Sequence, residues 1–244
     1  MIIAQNIFKN FGKIEALKGV SFEIGKGEIV GFLGKNGAGK TTLMRILTSY
    51  LPPTSGKVLI AGQDVERNPL AIRRKIGYLP ENPPLYLNMT VREYLKFAAR
   101  LKDIPARETR ARIDKVLDDC RLLYVQNRPI AHLSKGYKQR IGIAQAIIHE
   151  PEVLILDEPT SGLDPVQIQQ VRKLIKDIEH KRTVLLSTHI LSEIEQIARR
   201  ILIINRGELI KDRPMEGLLK DEGAATLEEV FLKLNPPQAG RSDD

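Results

Sequence analysis

The sequence predicts an α/β protein that has a parallel-sheet core, an N-terminal antiparallel β segment and a helical insert. Three observations lead to this prediction. The apolar run Ile29–Leu33 passes through a glycine-rich loop into a segment with helical character. Residues 153–156 are apolar at every position, which is typical of a strand buried on both faces of a parallel sheet. Between these runs, residues 91–123 are charged and have the apolar spacing of helices.

Composition limits the classes of protein to which the chain can belong. With 42% hydrophobic and 28% charged residues, a chain of 244 residues can bury a substantial core. We expect a cytoplasmic protein, because no apolar run approaches the roughly 18 residues that span a bilayer and the first ten residues do not form a secretory signal. Cys120 is the only cysteine, so no internal disulfide can form.

The formal net charge of +8 raises the question of a polyanionic partner. The basic residues are spread along the chain, and the aromatic residues, only 5% of the total, do not alternate with them as in a nucleic-acid platform. We therefore expect no nucleic-acid partner and interpret most of the charge as solvated helix faces. A basic face directed toward the cytoplasmic membrane leaflet is the alternative that remains open.

The N-terminal segment, residues 2–24, carries apolar residues in rough alternation and is predicted to form strands. Residues 25–27, Gly-Lys-Gly, are interpreted as a hairpin-type turn into the next strand at 28–33. Phe11 lies in a loop near this sheet. It belongs either to the core or to a platform for an adenine ring, and its position in the chain leaves both possibilities open.

Residues 34–41, Gly-Lys-Asn-Gly-Ala-Gly-Lys-Thr, follow the strand and precede the helix, which is the context of a phosphate-binding P-loop. The glycines allow backbone N–H groups to point inward, and the helix directs its positive dipole end at the same point. Lys40 is expected to reach the β- and γ-phosphates and Thr41 to bind Mg²⁺ through its hydroxyl. The core is therefore predicted to be that of a P-loop NTPase.

The helical insert is predicted at about residues 88–148, between two halves of the α/β core. Its helices at 91–103 and 106–123 are separated at Pro105. Thr90 is predicted to cap the first of them, and Glu93 completes a capping box. A further helix is predicted at 135–148.

The second half of the core places two acidic residues, Asp157 and Glu158, directly after the buried strand at 153–156. Ligands of open α/β sheets bind at the carboxyl ends of the strands. Further elements are predicted as a helix at 165–180, a strand at 183–187, a helix at 190–198 and a strand at 200–205. The whole domain is expected at residues 2–233, followed by a flexible tail at 234–244.

Phosphoryl transfer requires positive charge, a metal ion and a group that positions the attacking water. Asp157 is a candidate for holding Mg²⁺ opposite Thr41, and Glu158 for orienting or deprotonating the water. His189, at the end of the second buried strand, is a candidate donor to the γ-phosphate. Ser134 and Gly136 begin a predicted helix, which is either a second anion site or an ordinary N-cap.

The order of these motifs resembles that of the nucleotide-binding domain of an ABC (ATP-binding cassette) ATPase. The corresponding segments are Walker A at 34–41, the signature at 133–137, Walker B at 153–157, the D-loop at 161–164 and the switch-histidine loop at 187–189. The resemblance implies a head-to-tail dimer in which each ATP, with Mg²⁺, lies between two subunits, and it implies that the helical insert is the ABC-specific subdomain. It assigns nucleotide binding to Phe11, Gly34, Lys35, Asn36, Gly37, Ala38, Gly39, Lys40, Thr41 and Thr42 of one subunit and to Ser134 and Gly136 of the other.

The sequence departs from the family pattern at several of these positions. Lys35 replaces a more usual proline, and Glu81 replaces the Q-loop glutamine, where its carboxylate can still reach Mg²⁺ or a water of the ion. Lys135 and Tyr137 replace a glycine and the glutamine of the signature. We expect Lys135 to face solvent. With residues 225–231, these variants resemble separate-chain ATPases that serve exporter-like membrane subunits.

The resemblance implies an ATP-hydrolysing subunit that drives a separate membrane-spanning permease. Its expected partners are the permease and a second ABC subunit, most simply a copy of itself, at the inner face of the cell membrane. The alternative is a soluble ABC ATPase that acts as an assembly or scaffold factor. A nucleic-acid-linked ABC protein is disfavoured by the single cassette and by the lack of a long coiled-coil insertion.

Overall fold

The computed structural model describes residues 1–178 and 182–234. The predicted α/β class is confirmed, with two sheets and helices packed against them. The predicted tail lies outside the described residues from 235 onward, and so does the predicted end of the helix at 179–180.

A four-stranded antiparallel sheet is formed by the N-terminal part of the chain, in the order β2-β1-β4-β5. The strands are β1 (Ile2–Phe11), β2 (Ile14–Ile24), β4 (Ser55–Ile60) and β5 (Gln63–Asp64). Ile2 pairs with Ile24 on one side and with Ile60 on the other. The alternating apolar residues of this segment point into the core, as the period of a strand with one buried face requires.

A six-stranded sheet forms the centre of the molecule, in the order β10-β9-β3-β8-β7-β6. Its strands are β3 (Ile29–Leu33), β6 (Ile76–Leu79), β7 (Val153–Asp157), β8 (Thr183–Thr188), β9 (Arg200–Asn205) and β10 (Glu208–Pro214). Only β10 is paired antiparallel. Strands β3, β7 and β8 are buried at every residue, which explains their uninterrupted apolar runs.

The predicted hairpin turn at residues 25–27 is wrong, because β2 and β3 belong to different sheets. The segment turns at Gly27, whose φ is 79°, but it carries the chain across from one sheet to the other. A glycine-rich turn marks a change of direction without specifying the partner of the next strand. The apolar residues at every position of β3 require cover on both faces, which a strand of the antiparallel sheet would not have.

Nine helices lie within the described residues, together with two short 3₁₀ turns at Leu123–Val125 and Ile130–His132. The helices are α1 (Lys40–Leu47), α2 (Pro69–Lys75), α3 (Val91–Leu101), α4 (Ala106–Asp119), α5 (Lys135–Ile147), α6 (Pro165–Ile178), α7 (Leu191–Ile197), α8 (Met215–Asp221) and α9 (Leu227–Leu234). In the described part of the chain, none of them is long and apolar enough to cross a membrane.

The helical insert leaves the sheet after β6 and returns to it at β7. These two strands are parallel neighbours, with Ile76 opposite Val153, so the insert is a detour between adjacent strands. The predicted capping box at the start of α3 is confirmed, since the Thr90 hydroxyl accepts from the Glu93 N–H and the Glu93 carboxylate accepts from the Thr90 N–H. The face of α3 that begins at Val91 packs in one core with α4, α5 and the central strands.

Helix α1 lies between the two sheets. Its residues Leu43, Met44, Ile46 and Leu47 are fully buried, in one cluster with residues of both sheets. This packing holds the loop that precedes α1 at the carboxyl end of β3.

Candidate active site

The functional residues meet because β3, β8 and β7 are parallel neighbours. Leu33 lies opposite Thr188, and Asp157 lies opposite Ser187, so three strands end at one edge of the sheet. The glycine-rich loop, Glu158 and the switch histidine therefore surround a cavity of about 630 Å³. Of the predicted site residues, the following line it: Lys35, Asn36, Gly37, Gly39, Lys40, Thr41, Thr42, Glu81, Glu158 and His189.

The glycine-rich loop is closed over its own lysine. The Lys40 ammonium donates to the Gly34 carbonyl at 2.6 Å and to the Lys35 carbonyl at 3.4 Å. Lys40 is only 6% exposed. Gly39 has a φ of 108°, and a Cβ there would lie 2.8 Å from the Ala16 carbonyl oxygen, so this position requires glycine.

A chain of polar contacts crosses the cavity from Lys40 through Glu158 to His189. The Lys40 ammonium lies 3.5 Å from Glu158 Oε1, and His189 Nδ1 lies 2.8 Å from Glu158 Oε2. Glu158 has a φ of 48°, a left-handed conformation that is uncommon outside glycine and is found at functional sites. Its N–H donates to the Ser187 carbonyl at 3.0 Å, which holds this conformation in place.

The Asp157 carboxylate lies deeper, at the end of β7. Its Oδ1 accepts from the Ser187 hydroxyl at 2.5 Å, and the Thr41 hydroxyl also donates to it. Burial raises the pKa of Asp157, hydrogen bonds from Ser187 and Thr41 oppose the rise, and repulsion from Glu158 and Glu81 adds to it. A cation beside Asp157 would offset the cost of burying its charge.

The donor set fits Mg²⁺. Thr41, Glu81 and Asp157, the three predicted ligands, line one adjoining cleft of about 460 Å³ and offer oxygen atoms alone. No group of three or more His, Cys, Asp or Glu side chains within residues 1–178 and 182–234 is arranged to hold a metal by itself. Mg²⁺ characteristically accepts few protein ligands and completes its shell with water and phosphate oxygens.

Glu81 lies at the junction of the cavity and the cleft and lines both. It is exposed, and its Oε1 accepts from the Ser161 hydroxyl at 3.3 Å. The carboxylate therefore connects the loop after β6 to the D-loop segment that follows Glu158.

Phe11 does not line the cavity. It is the last residue of β1, so the expected loop position is wrong. Its side chain is 47% exposed, and the Lys9 ammonium lies 5.3 Å from its ring centre. Instead, the start of β2 forms this wall of the cavity, and its Ile14 is 69% exposed. Phe11 is therefore not a core residue, and its role as an adenine platform stays a prediction.

The turn between β9 and β10 also reaches the cavity, through Arg206 and Gly207. The Gly207 N–H donates to the Ala38 carbonyl at 3.0 Å, and the Gly207 carbonyl accepts from the Lys18 N–H at 2.9 Å. Sequence reasoning identified the turn but missed its role in the site. The only signal was the Arg-Gly turn itself, because the contacts depend on how β10 packs beside β2.

The predicted signature segment lies apart from this cavity. The Ser134 hydroxyl accepts from the Tyr137 N–H at 3.4 Å and thereby caps α5. Gly136 is buried, and a Cβ there would lie 2.7 Å from Gln167 Oε1. Lys135 is exposed as predicted, but its ammonium lies against Gly162 of the D-loop segment, where a Cβ would collide with it.

Comparisons with known proteins identify a matching family and similar proteins. The family model described as ABC transporter matches residues 17–161. The chain is 40% identical over 222 residues to the bacitracin transport ATP-binding protein BcrA of Bacillus licheniformis, covering 90% of this chain and 72% of that protein. It is 38% identical over 232 residues to the lantibiotic transport ATP-binding protein SrtF of Streptococcus pyogenes, covering 95% and 96%.

Solved structures have the same fold. An ATP-binding subunit of an ABC transporter matches with a TM-score of 0.87 and 30% identity, covering 96% of this chain and 99% of that chain. A dimeric ATP-binding cassette in a post-hydrolysis state, bound to ADP and Pi, matches with a TM-score of 0.79 and 28% identity, covering 88% and 99%.

Proposed function

Because the chain belongs to the ABC transporter family and is the ATPase subunit of such a transporter, we propose that two copies close head to tail around two ATP molecules and thereby drive a separate permease. One observation carries the proposal. In the cavity Glu158 contacts both Lys40 and His189, whereas Ser134 and Gly136 lie at a helix start outside it. A second copy would bring its own Ser134 and Gly136 to the open side of the cavity.

The P-loop is suited to the phosphates of ATP. The Lys40 ammonium donates to two backbone carbonyls and lies 3.5 Å from Glu158 Oε1. Phosphate oxygens are stronger acceptors for an ammonium than neutral carbonyls, so ATP would draw Lys40 out of these contacts. The backbone N–H groups at the start of α1 would bind the same phosphates.

Glu158 and His189 are proposed as the catalytic pair. The Glu158 carboxylate accepts from His189 and borders the cavity, so it can orient a water molecule and take its proton as the water attacks. His189, whose side chain is 47% exposed, can donate to the γ-phosphate while it remains beside Glu158. Thr41 and Asp157 would hold Mg²⁺, with Glu81 reaching the ion or its water, and the bound ion would neutralise charge that develops on the phosphates.

The permease is proposed to dock where the loop after Glu81 meets α3. Tyr86 is 53% exposed and packs edge-on against Phe97, with 5.1 Å between ring centres, while Leu87 and Leu101 are 48% and 67% exposed. We call these four residues the docking surface. Pro84 and Lys102, which lie near this surface along the chain, line the same cleft as Glu81, and Glu81 also lines the ATP cavity. A partner at the docking surface could therefore respond to the bound nucleotide. Binding at this surface would hold the chain at the inner face of the membrane.

The proposal is tested by copurification from native membranes. A tagged chain is expected to recover a multi-span membrane protein, and Tyr86→Ala with Leu87→Ala should lose it while ATP binding is kept. Tyr124→Ala is the matched control, because Tyr124 is 99% exposed on another part of the helical insert. Recovery of no membrane protein with the wild-type chain would favour the soluble scaffold function instead.

The dimer is tested separately. The chain carrying Glu158→Gln should bind ATP without completing hydrolysis, so size-exclusion chromatography with Mg²⁺ and ATP is expected to show a dimer that ADP does not produce. A profile that stays monomeric under both nucleotides would contradict the head-to-tail arrangement.

A further inference from the structure

Glu193 is a buried carboxylate that the proposed mechanism does not use. It lies in α7 and is 2% exposed. Its Oε2 accepts from the Thr160 hydroxyl at 2.5 Å and from the Thr188 hydroxyl at 3.3 Å. Its Oε1 is buried without a hydrogen-bond partner in the part of the chain that the structure describes. Burial of a carboxylate that is only partly satisfied is costly, which makes Glu193 a candidate for a functional role.

The two hydroxyls that Glu193 joins belong to the two segments of the catalytic pair. Thr160 follows Glu158 by two residues, and Thr188 immediately precedes His189. On the cavity side, the same segments are joined by the contact between Glu158 and His189 at 2.8 Å. The segments of Glu158 and His189 are therefore connected twice. Glu193 connects them on the buried side, and the contact between Glu158 and His189 connects them on the cavity side.

We propose that Glu193 is a positioning residue that keeps Glu158 and His189 in register by holding Thr160 against Thr188. This inference rests on the roles proposed above for Glu158 and His189. None of the hydrogen bonds of Glu193 within the described residues involves the glycine-rich loop. Its loss should therefore slow hydrolysis and leave nucleotide binding unchanged.

The bridge also reaches beyond the pair. Ser161, next to Thr160, donates to Glu81 at 3.3 Å, and Glu81 lines the cleft beside the docking surface. A displacement of Thr160 would thus move the Ser161 partner of Glu81 as well as Glu158. Through Thr160, Glu193 ties the switch-histidine segment to the loop that is proposed to face the permease.

The test compares Glu193→Ala with Glu193→Gln in the full chain. Glu193→Ala is expected to lower kcat about tenfold, since small misplacements of reacting groups cost one to two orders of magnitude, while KM for ATP with Mg²⁺ changes less than about twofold. Glu193→Gln should restore most of kcat, because an amide oxygen can accept from both hydroxyls. Glu195→Ala is the matched control, as Glu195 is exposed on the same helix and accepts from the Leu227 N–H at 3.0 Å.

A double-mutant cycle with Thr160→Val identifies the route. If Glu193 acts through Thr160, the double variant should have the same kcat as Glu193→Ala alone. Multiplicative losses, an unchanged kcat with a lowered melting temperature, or a parallel rise in KM would each overturn the proposal. Should Glu193→Ala fail to fold, Thr160→Val alone carries the test and must lower kcat at constant KM.

The failure of this inference is distinguishable from failure of the proposed function. Glu158→Gln is measured in parallel, and its retention of wild-type turnover would refute the catalytic pair itself. If Glu158→Gln is inactive and Glu193→Ala is fully active, only the positioning role is overturned.

Discussion

Two helices of this protein begin with the same kind of segment but have different surroundings. Helix α1 begins at Lys40 after Gly39, and α5 begins at Lys135 after Ser134. Lys40 is buried against Glu158, whereas Lys135 is exposed and its ammonium lies against Gly162. Both helix starts could therefore bind an anion by their local sequence. The side chains packed around each start decide which of them belongs to the cavity of a single chain.

Packing explains the difference. Helix α1 is enclosed between the two sheets, so its first turn lies at the edge where the strands β3, β7 and β8 end. Helix α5 packs in the core that joins α3 and α4 to the central strands, and none of its residues lines the cavity. In the proposed dimer, the α5 start would complete the site of the second copy.

The largest effect is expected from Glu158→Gln, which changes the residue that contacts Lys40 at the start of α1. Loss of the carboxylate that is proposed to take the proton from water should lower kcat by about 10²- to 10⁴-fold, with ATP affinity nearly unchanged. Steady-state phosphate release and equilibrium ATP binding measure the two quantities. Turnover at the wild-type rate would contradict the assigned role.

Lys40→Ala is expected to weaken ATP binding about 100-fold, because it removes charge-assisted hydrogen bonds worth roughly 3 kcal/mol. Lys135→Ala at the start of α5 should leave the ATP affinity of a single chain unchanged. Titration calorimetry of both variants measures the contrast directly. Equal losses for the two lysines would abolish the distinction between the two helix starts.

Ser134→Ala should lower kcat about tenfold and weaken the ATP-dependent dimer, while the ATP affinity of a single chain is kept. The substitution also removes an N-cap worth about 1 kcal/mol of stability. Thr90→Ala is the matched control, because it removes the cap of α3 without touching the proposed interface. A similar loss of kcat in both variants would indicate destabilisation alone.

The smallest effect is expected from Glu81→Gln. An amide oxygen can replace the carboxylate as acceptor for the Ser161 hydroxyl and as a ligand, so kcat should change less than about threefold. The measurement is hydrolysis as a function of Mg²⁺ concentration. A complete loss of activity would show that the negative charge of Glu81 is required.

The sequence predicted the elements of this fold well where a strand or helix has one clear pattern. The buried runs of β3, β7 and β8 and the capping box at Thr90 are visible in single segments. The hairpin at residues 25–27 was wrong because the pairing of a strand depends on residues far along the chain. The short helix α2 and the C-terminal helices α8 and α9 were not predicted at all, since their apolar faces are short.

The residues of the candidate site also fall into those that the sequence identified and those that it missed. Lys40, Asp157, Glu158 and His189 were identified from their positions after apolar strands, and the parallel pairing of β3, β8 and β7 brings them to one edge of the sheet. Ile14 and Arg206 were missed because they reach the cavity only through the packing of β2 beside β10. The buried bridge of Glu193 was missed for the same reason.

Local order along the chain was thus enough to identify an α/β ATPase core, its P-loop and its acidic pair, because backbone geometry links each motif to the end of its own strand. The tertiary structure decided which residues share a cavity, that Glu158 has a left-handed backbone and contacts both Lys40 and His189, and that the α5 start lies outside. These features arise from contacts between segments that are distant in sequence, and no periodicity within one segment encodes them.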